Sequence, residues 1–149
     1  YENAKSDAQR KAEQIAKDNA ELESKQTTLY KYRTALAIIR LFEAKINSAA
    51  DVHQQAALTE FVAVLRRESS LDPHVVSKLE SDVGPERLAM LDDRIEKNLR
   101  MQEHAIDQEI ESAAKIKKRE ALEAEFREKY EAKRQELGLK ILDHLDKLP

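Results

Sequence analysis

The stretch from Pro85 to Leu148 constrains the fold more than any other part of this chain. It holds one glycine, Gly138, and no internal proline, and it is rich in Glu, Lys, Arg, Ala and Leu, which lose little conformational freedom in a helix. These features predict one long helix over about 85–148. At 1.5 Å per residue such a helix is roughly 96 Å long, which exceeds the width of a compact domain, so it must pack along another helix.

The composition of the whole chain favours a few long helices over a round core. Charged residues make up 37% of the 149 residues, above the usual ~25%, whereas there are only 2 glycines and 3 prolines. Because few residues favour turns, the chain has few places to reverse direction. It is predicted to be all-α and to form a single elongated helical coiled-coil module over 1–149. Since it begins at Tyr1, already in helical phase, we expect it to be a fragment of a longer chain.

A seven-residue repeat marks the amino-terminal part of the chain. Apolar residues recur at Ala8, Ile15, Leu22, Leu29 and Leu36. This spacing is typical of a coiled coil, in which a narrow apolar seam faces a partner helix. From Leu29 to Ile46 the apolar face widens and needs more than one neighbour. A helix over about 1–67 is predicted, with one weak sign of a break, because Ser48 followed three residues later by Asp51 resembles a helix start.

Turn-forming residues separate two further helices. Asp72 and Pro73 indicate the start of a short helix over about 73–83, and Gly84 with Pro85 indicates its end and the start of the long helix. Two arrangements fit this pattern. In the favoured one, helices over about 1–67 and 85–148 form an elongated antiparallel coiled-coil hairpin with the short helix at the turn. In the alternative, a break at Ser48 gives a four-helix head over about 29–101 on a two-helix stem.

The antiparallel hairpin also predicts which residues face each other. In the best register the numbers of two paired residues sum to about 152, so that apolar positions meet along the rod. The predicted pairs include Ile46 with Ile106, Leu36 with Ile116, and Ile15 with Leu137.

Wide apolar faces at both ends of the hairpin predict self-association. Burying a leucine-sized side chain contributes ~1.5–3 kcal/mol, against ~0–1 kcal/mol for an exposed ion pair, so association should follow the apolar residues. The predicted self-association or partner interface consists of Leu36, Ile39, Phe42, Phe61, Leu65, Leu137, Ile141 and Leu145. The expected partners are further copies, in a dimer or tetramer, and helical segments of other proteins.

The residue types that carry catalysis or hold metals are missing or wrongly spaced. There is no cysteine and no glycine-rich phosphate loop. The four histidines, His53, His74, His104 and His144, lack the Glu three residues earlier that di-iron bundles use, and no two of them lie four apart as in zincins. His104 and Asp107 share a helical face, which a solvated pair explains better than a metal site. We therefore expect no enzymatic activity, no cofactor and no metal.

One dense basic run is the candidate anion contact: Lys115, Lys117, Lys118 and Arg119. Its functional interpretation is a patch for phosphate groups. Acidic residues three or four positions away are expected to pair with these cations, which favours an ordinary solvated helix face. The acidic residues concerned are Glu111, Glu120 and Glu123.

The favoured function is a non-enzymatic coiled-coil scaffold or assembly module, and the alternative is a helical module that binds an anionic or curved membrane surface through residues 115–119. The net charge of −3 predicts no general attraction to nucleic acid. The longest apolar runs fall short of the ~20 residues that a membrane span needs. We expect a soluble segment with an intracellular location, in a compartment that the sequence does not fix.

Overall fold

The computed structural model describes residues 2–49 and 51–147, and within these ranges the chain forms five helices and no strand. The helices are α1 (Glu2–Ser48), α2 (Val52–Glu68), α3 (Pro73–Val83), α4 (Pro85–Met101) and α5 (Glu103–Asp146). The all-α prediction is therefore confirmed.

The continuous helix predicted over about 1–67 is wrong, because the chain breaks between α1 and α2. The break lies close to the weak helix-start pattern, but Asp51 rather than Ser48 caps the new helix. The Asp51 carboxylate accepts a hydrogen bond from the backbone N–H of His53 at 2.9 Å. The Gln55 side chain donates to the carbonyl of Ala49 at 2.8 Å, which ties the loop to the first turns of α2.

Local capping explains the bounds of α3. Asp72 accepts a hydrogen bond from the backbone N–H of His74 at 2.8 Å, and Pro73 occupies the first turn, where its missing N–H leaves no donor unsatisfied. Gly84 ends the helix with a φ of 89°, a conformation that only glycine adopts without strain. These bounds match the short helix that the sequence predicts.

The long helix predicted over about 85–148 is interrupted once, at Gln102. The backbone N–H of Gln102 donates to Asn98 at 3.1 Å, and Ile106 donates to Gln102 at 2.9 Å, so hydrogen bonds continue across the interruption. Neither glycine nor proline lies there, which is why the sequence pattern does not predict it. Leu148 falls outside the described residues.

The apolar core lies where α1, α2 and α5 meet. Its buried members are Ile39 and Phe42 of α1, Leu58 and Val62 of α2, and Ile110 of α5. Around them pack the half-buried side chains of Ile38, Leu41, Ile46, Phe61, Leu65 and Ile106. The rings of Phe42 and Phe61 lie 6.0 Å apart, so α2 folds back on α1 with aromatic contact at the centre.

A second, more polar interface joins α1 to α3 and α4. Arg33 pairs with Asp92 at 2.7 Å and with Glu80 at 3.5 Å, so one guanidinium links three helices. Beside it, the Asn98 amide donates to the Tyr30 hydroxyl at 2.6 Å. Arg94 stacks over the Tyr30 ring at 4.7 Å. These polar contacts act together with buried apolar side chains of the same three helices, among them Leu29, Val83 and Ile95, which are 0%, 4% and 4% exposed.

The antiparallel hairpin predicted from the sequence is not formed by the described residues. Three ion pairs connect α1 with the later helices. They are Lys25 with Asp82, Arg33 with Asp92, and Lys45 with Asp107. The sequence separations are 57, 59 and 62 residues. In an antiparallel pair this separation would shrink steadily as α1 advances, whereas here it stays nearly constant. These three pairs therefore do not fit the predicted antiparallel register. They do not fix a common direction for all of α3–α5, because the Asn98–Tyr30 hydrogen bond joins residues 68 positions apart.

The predicted register consequently fails at most positions. Ile46 and Ile106 do both pack against the core. Their residue numbers add up to the predicted value of about 152, and they also differ by about 60, as the residue numbers of the three ion pairs do. Leu36 instead lies beside Ile95 and Leu99 of α4. Ile15 and Leu137 are 61% and 57% exposed and have no contact with each other.

The alternative prediction, a four-helix head on a two-helix stem, is closer to the structure than the hairpin, but it also differs from the structure in part. Helices α2, α3 and α4 pack against the second half of α1, and α5 packs against α2. The predicted two-helix stem is not seen in the described ranges, because residues 7–24 of α1 and 118–147 of α5 do not contact each other. We call residues 25–117 the head, residues 7–24 the amino-terminal arm and residues 118–147 the carboxy-terminal arm.

Candidate interaction surface

The predicted interface residues in the head are mostly used by the fold itself. Ile39 and Phe42 are 3% and 8% exposed, and Phe61 and Leu65 pack against the same core. Because the break before Val52 returns α2 to α1, their neighbours come from the same chain rather than from a second copy. Contacts within one chain therefore occupy much of these four side chains, and their assignment to a self-association interface stays a prediction.

Leu36 occupies an intermediate position. It is half-buried and lines a groove between α1 and α4 with Tyr32, Ile95 and Leu99. Charged side chains of the Arg33 network border the same groove. The groove is thus partly closed by polar contacts that hold the head together.

The three predicted residues in the carboxy-terminal arm remain open. Leu137, Ile141 and Leu145 are 57%, 60% and 55% exposed, as expected for side chains on a helix without a neighbour. They lie four residues apart and so share one side of α5. This part of the predicted interface is available for a partner.

The same side of α5 extends further towards the head than the predicted interface does. Leu122, Phe126 and Tyr130 also recur every four residues, and Phe126 is 74% exposed. Together with Leu137, Ile141 and Leu145 they form what we call the outer stripe. The first three residues were not assigned to a site from the sequence, although their regular spacing is visible there.

A shallow groove follows the first half of the outer stripe. It is lined by Lys115, Lys118, Arg119, Leu122, Glu123, Phe126, Arg127 and Tyr130, all from α5. Its floor is apolar, whereas four of the polar side chains at its edges are cationic and one is acidic. Such a groove fits an apolar ridge that carries negative charge along its sides.

Helix geometry explains why this groove faces away from the head. Side chains advance by about 100° per residue, so Leu122, Phe126 and Tyr130 point roughly half a turn away from Ile106 and Ile110. Ile106 and Ile110 pack on the α1–α2 core, and Ala114 on the same side of the helix is buried at 9% exposure. Helix α5 therefore has an inner apolar face covered by α2 and an outer one that nothing covers in the described residues.

The basic run is divided between these two faces. Lys117 lies on the inner face, is 24% exposed and contacts Glu60 of α2 and Glu120 of α5. The hydrogen bond to Glu60 is the main cause that raises the pKa of Lys117, and the charges of Glu120 and Glu60 act in the same direction. Lys117 therefore takes part in the contact between α5 and α2, and its role as an anion contact stays a prediction.

The other three cations of the run remain exposed. Lys115, Lys118 and Arg119 have no carboxylate within 4 Å in the described part of the chain, so the expected pairing with Glu111 and Glu123 is not seen. They border the groove instead. Their charge is therefore free to act on an incoming partner.

The side chains that can bind a metal ion are scattered within residues 2–49 and 51–147. There is no group there of three or more His, Asp or Glu side chains that could hold a metal ion. Asp107, which shares a face with His104, pairs with Lys45 of α1 at 3.0 Å. In the same ranges, no helix combines the length and the apolar character needed to cross a membrane.

Comparison with protein-family models, with curated protein sequences and with solved structures found no match to this chain. Its function is therefore inferred from its own residues.

Proposed function

We propose that this chain is a non-enzymatic helical scaffold or assembly module that associates with further copies of itself, as a dimer or tetramer, and with helical segments of other proteins. The observation that carries the proposal is the outer stripe of the carboxy-terminal arm, which is exposed along its whole length. An arm that packs on nothing adds little to the stability of the head. Its apolar stripe is best explained by a partner helix, as in a coiled coil.

The energetics of an isolated helix support this proposal. In proteins most of the stability of a helix comes from packing of its apolar face rather than from local propensity. The arm has pairs of opposite charge four residues apart, Glu125 with Lys129 and Glu136 with Lys140, at 3.1 and 3.2 Å. Each such pair contributes only ~0.2–0.5 kcal/mol. Covering one leucine-sized side chain contributes ~1.5–3 kcal/mol, so burial of the outer stripe would dominate.

Size-exclusion chromatography with light scattering, combined with small-angle X-ray scattering, tests self-association. An elongated oligomer at micromolar concentration is expected. A monomer at these concentrations would contradict the proposal.

A triple substitution identifies the surface. We expect Leu137→Ser, Ile141→Ser and Leu145→Ser together to weaken the oligomer. The control is Leu139→Ser, since Leu139 is 68% exposed on the same arm but lies two residues from both Leu137 and Ile141 and so points to the other side of the helix. Equal loss of association in both variants would mean that general hydrophobicity, rather than the outer stripe, drives assembly.

A second candidate function is binding to an anionic membrane surface. The specific observation is that Lys115, Lys118 and Arg119 are unpaired within the described ranges and border Phe126 and Tyr130, and cations beside aromatic side chains are typical of surface-bound helices. Glutamates along the same arm weaken this idea, which is why it stands second.

Co-sedimentation with vesicles tests the membrane hypothesis. Vesicles rich in phosphatidylserine are compared with neutral phosphatidylcholine vesicles, and Lys115→Glu, Lys118→Glu and Arg119→Glu together should abolish binding to the anionic ones. The control reverses the same number of cations that already have acidic neighbours four residues away, Lys129, Lys140 and Lys147. Absence of binding by the unaltered chain, or equal loss in both variants, removes the membrane hypothesis.

A further inference from the structure

Two arms of the same chain are exposed over most of their length in the described residues, although Leu22 is half-buried, and both are direct extensions of helices that build the head. The amino-terminal arm belongs to α1, which is one helix from Glu2 to Ser48, and the carboxy-terminal arm belongs to α5, one helix from Glu103 to Asp146. Neither arm can fold onto the other within one chain without breaking its helix. A second copy can supply the missing neighbour with both helices intact.

The two arms are complementary in charge. The cationic edges of the groove on α5 are formed by Lys115, Lys118, Arg119 and Arg127. In the amino-terminal arm the acidic residues Asp7, Glu13, Asp18, Glu21 and Glu23 outnumber the basic residues Arg10, Lys11 and Lys17. An acidic helix is therefore attracted to the groove, whereas a second copy of the groove would be repelled by it.

The amino-terminal arm also has the shape that the groove requires. Its apolar residues Ala8, Ala12, Ile15 and Leu22 follow one side of α1, and Ile15 is 61% exposed. Asp18 lies three residues after Ile15 and Lys11 four residues before it, so one carboxylate and one ammonium group flank this side, and the negative charge comes from the excess of acidic residues over the whole arm. Small alanines let another helix approach closely, and the larger Ile15 can pack between Phe126 and Tyr130.

The lengths agree as well. Residues 7–24 span roughly 27 Å at 1.5 Å per residue, and the groove from residue 115 to residue 130 spans roughly 24 Å. Because the groove lies on the outer face of α5, a helix lying in it avoids α2.

We infer that two copies of this chain pair reciprocally, with the amino-terminal arm of each copy seated in the groove of residues 115–130 of the other. A twofold arrangement of this kind closes on itself and covers the amino-terminal arm and residues 118–130 of the carboxy-terminal arm in both copies, whereas residues 131–147 with Leu137, Ile141 and Leu145 stay open to a further helix. If only one of the two arm-to-groove contacts formed between two copies, each copy would keep one unpaired surface. Further copies could then add at both ends of the pair and build a filament. This inference rests on the proposed self-association and specifies its surfaces.

A pair of charge-reversal variants tests the arrangement. The first variant carries Lys115→Glu, Lys118→Glu and Arg119→Glu, and the second carries Asp7→Lys, Asp18→Lys and Glu23→Lys. All six residues are exposed, so both variants should keep the far-ultraviolet circular dichroism and melting temperature of the head. Each variant alone is expected to dimerise with a Kd about tenfold or more higher, because each places like charges across the contact.

Mixing the two variants provides the decisive measurement. In the mixed dimer the unaltered acidic arm of the first variant meets the unaltered groove of the second, and the reversed arm meets the reversed groove. A one-to-one mixture should therefore recover the dimer, read by light scattering and by pull-down of an untagged variant with a tagged one.

The possible failures are distinguishable. If the unaltered chain is monomeric, both the proposed function and this inference fail. If only the first variant loses the dimer, the groove contacts something other than the amino-terminal arm, and the inference fails while self-association stands. If both variants dimerise normally, or if their mixture gives no recovery, reciprocal pairing of the arms is overturned.

Because the chain lacks cysteine, a single introduced pair gives an independent check of proximity. Ile15→Cys in one copy and Phe126→Cys in another should form a mixed disulfide on mild oxidation. Phe126→Cys alone forming the dominant dimer would contradict the inference, since it would bring two grooves together.

Discussion

Helix α5 has two apolar faces, and the difference between them shows what a repeat of apolar residues does and does not specify. On its inner face Ile106, Ile110 and Ala114 recur every four residues and meet α1 and α2, with Ile110 only 2% exposed. On its outer face Leu122 and Phe126 follow the same spacing and are 56% and 74% exposed. The pattern determines that a face exists, but the position of α2 decides which face is covered.

The largest expected difference concerns the stability of the head. Ile110→Ala should lower the free energy of unfolding by ~2–5 kcal/mol, because it removes a buried side chain and leaves a cavity in the core. Phe126→Ala, on the outer face of the same helix, should change it by less than ~0.5 kcal/mol. Urea denaturation at concentrations where the chain is monomeric checks both. A similar loss for the two variants would mean that the outer face is already covered within one chain.

A smaller effect is expected for the polar interface between α1 and α4. Arg33→Ala removes contacts to Asp92 and Glu80 and should cost about 1–2 kcal/mol, since the guanidinium is only 21% exposed and links three helices. The control is Lys97→Ala, whose pair with Asp93 lies on the exposed surface of α4 and should cost at most ~0.5 kcal/mol. Thermal melts of the two variants give the comparison, and equal costs would remove the special role of Arg33.

Replacing the glycine of the carboxy-terminal arm should stabilise the helix of that arm by about 0.5–1 kcal/mol and leave the stability of the head unchanged. Gly138→Ala raises helix propensity, and no atom lies within 4 Å of the added methyl group in the described residues. Slower amide hydrogen exchange is expected around residue 138, with unchanged exchange near Ile110. Stabilisation of the core by this substitution would show that arm and head unfold as one unit.

The smallest effect should come from Lys117, which joins α5 to α2. Its pKa is raised above 10.5 by Glu60 and Glu120, so its stabilising contribution is complete below pH 10.5 and disappears as the pH rises through the higher folded value. Lys117→Met should therefore be slightly less stable than the unaltered chain at pH 8, and the difference should vanish well above pH 10.5. Lys118→Met, whose side chain is exposed, serves as control and should show no difference at either pH. A difference that persists in strong alkali would mean that packing, rather than charge, explains the role of Lys117.

Capping residues make several helix boundaries predictable from the sequence pattern. Asp72, Pro73 and Gly84 act on the backbone within a few residues of themselves, so their order along the chain suffices to place α3. The interruption at Gln102 could not be predicted, because no residue there disfavours a helix and hydrogen bonds continue across it. Likewise, the outer stripe was only partly assigned to an interface, since spacing alone did not separate Leu122 and Phe126 from ordinary core residues.

The sequence by itself determined that this chain is helical, where most of its turns fall and that its helices carry apolar faces, because propensity, capping and periodicity act over a few residues. Only the tertiary structure decided the partners of those faces. The ion pairs of Arg33 and Lys45 join α1 to α4 and α5, and the fold of α2 onto α1 places Ile39 and Phe42 in the core. The first contacts join residues 59 and 62 positions apart and the Arg66–Glu43 contact of α2 with α1 joins residues 23 apart, so many registers satisfy the same local pattern until the whole chain packs.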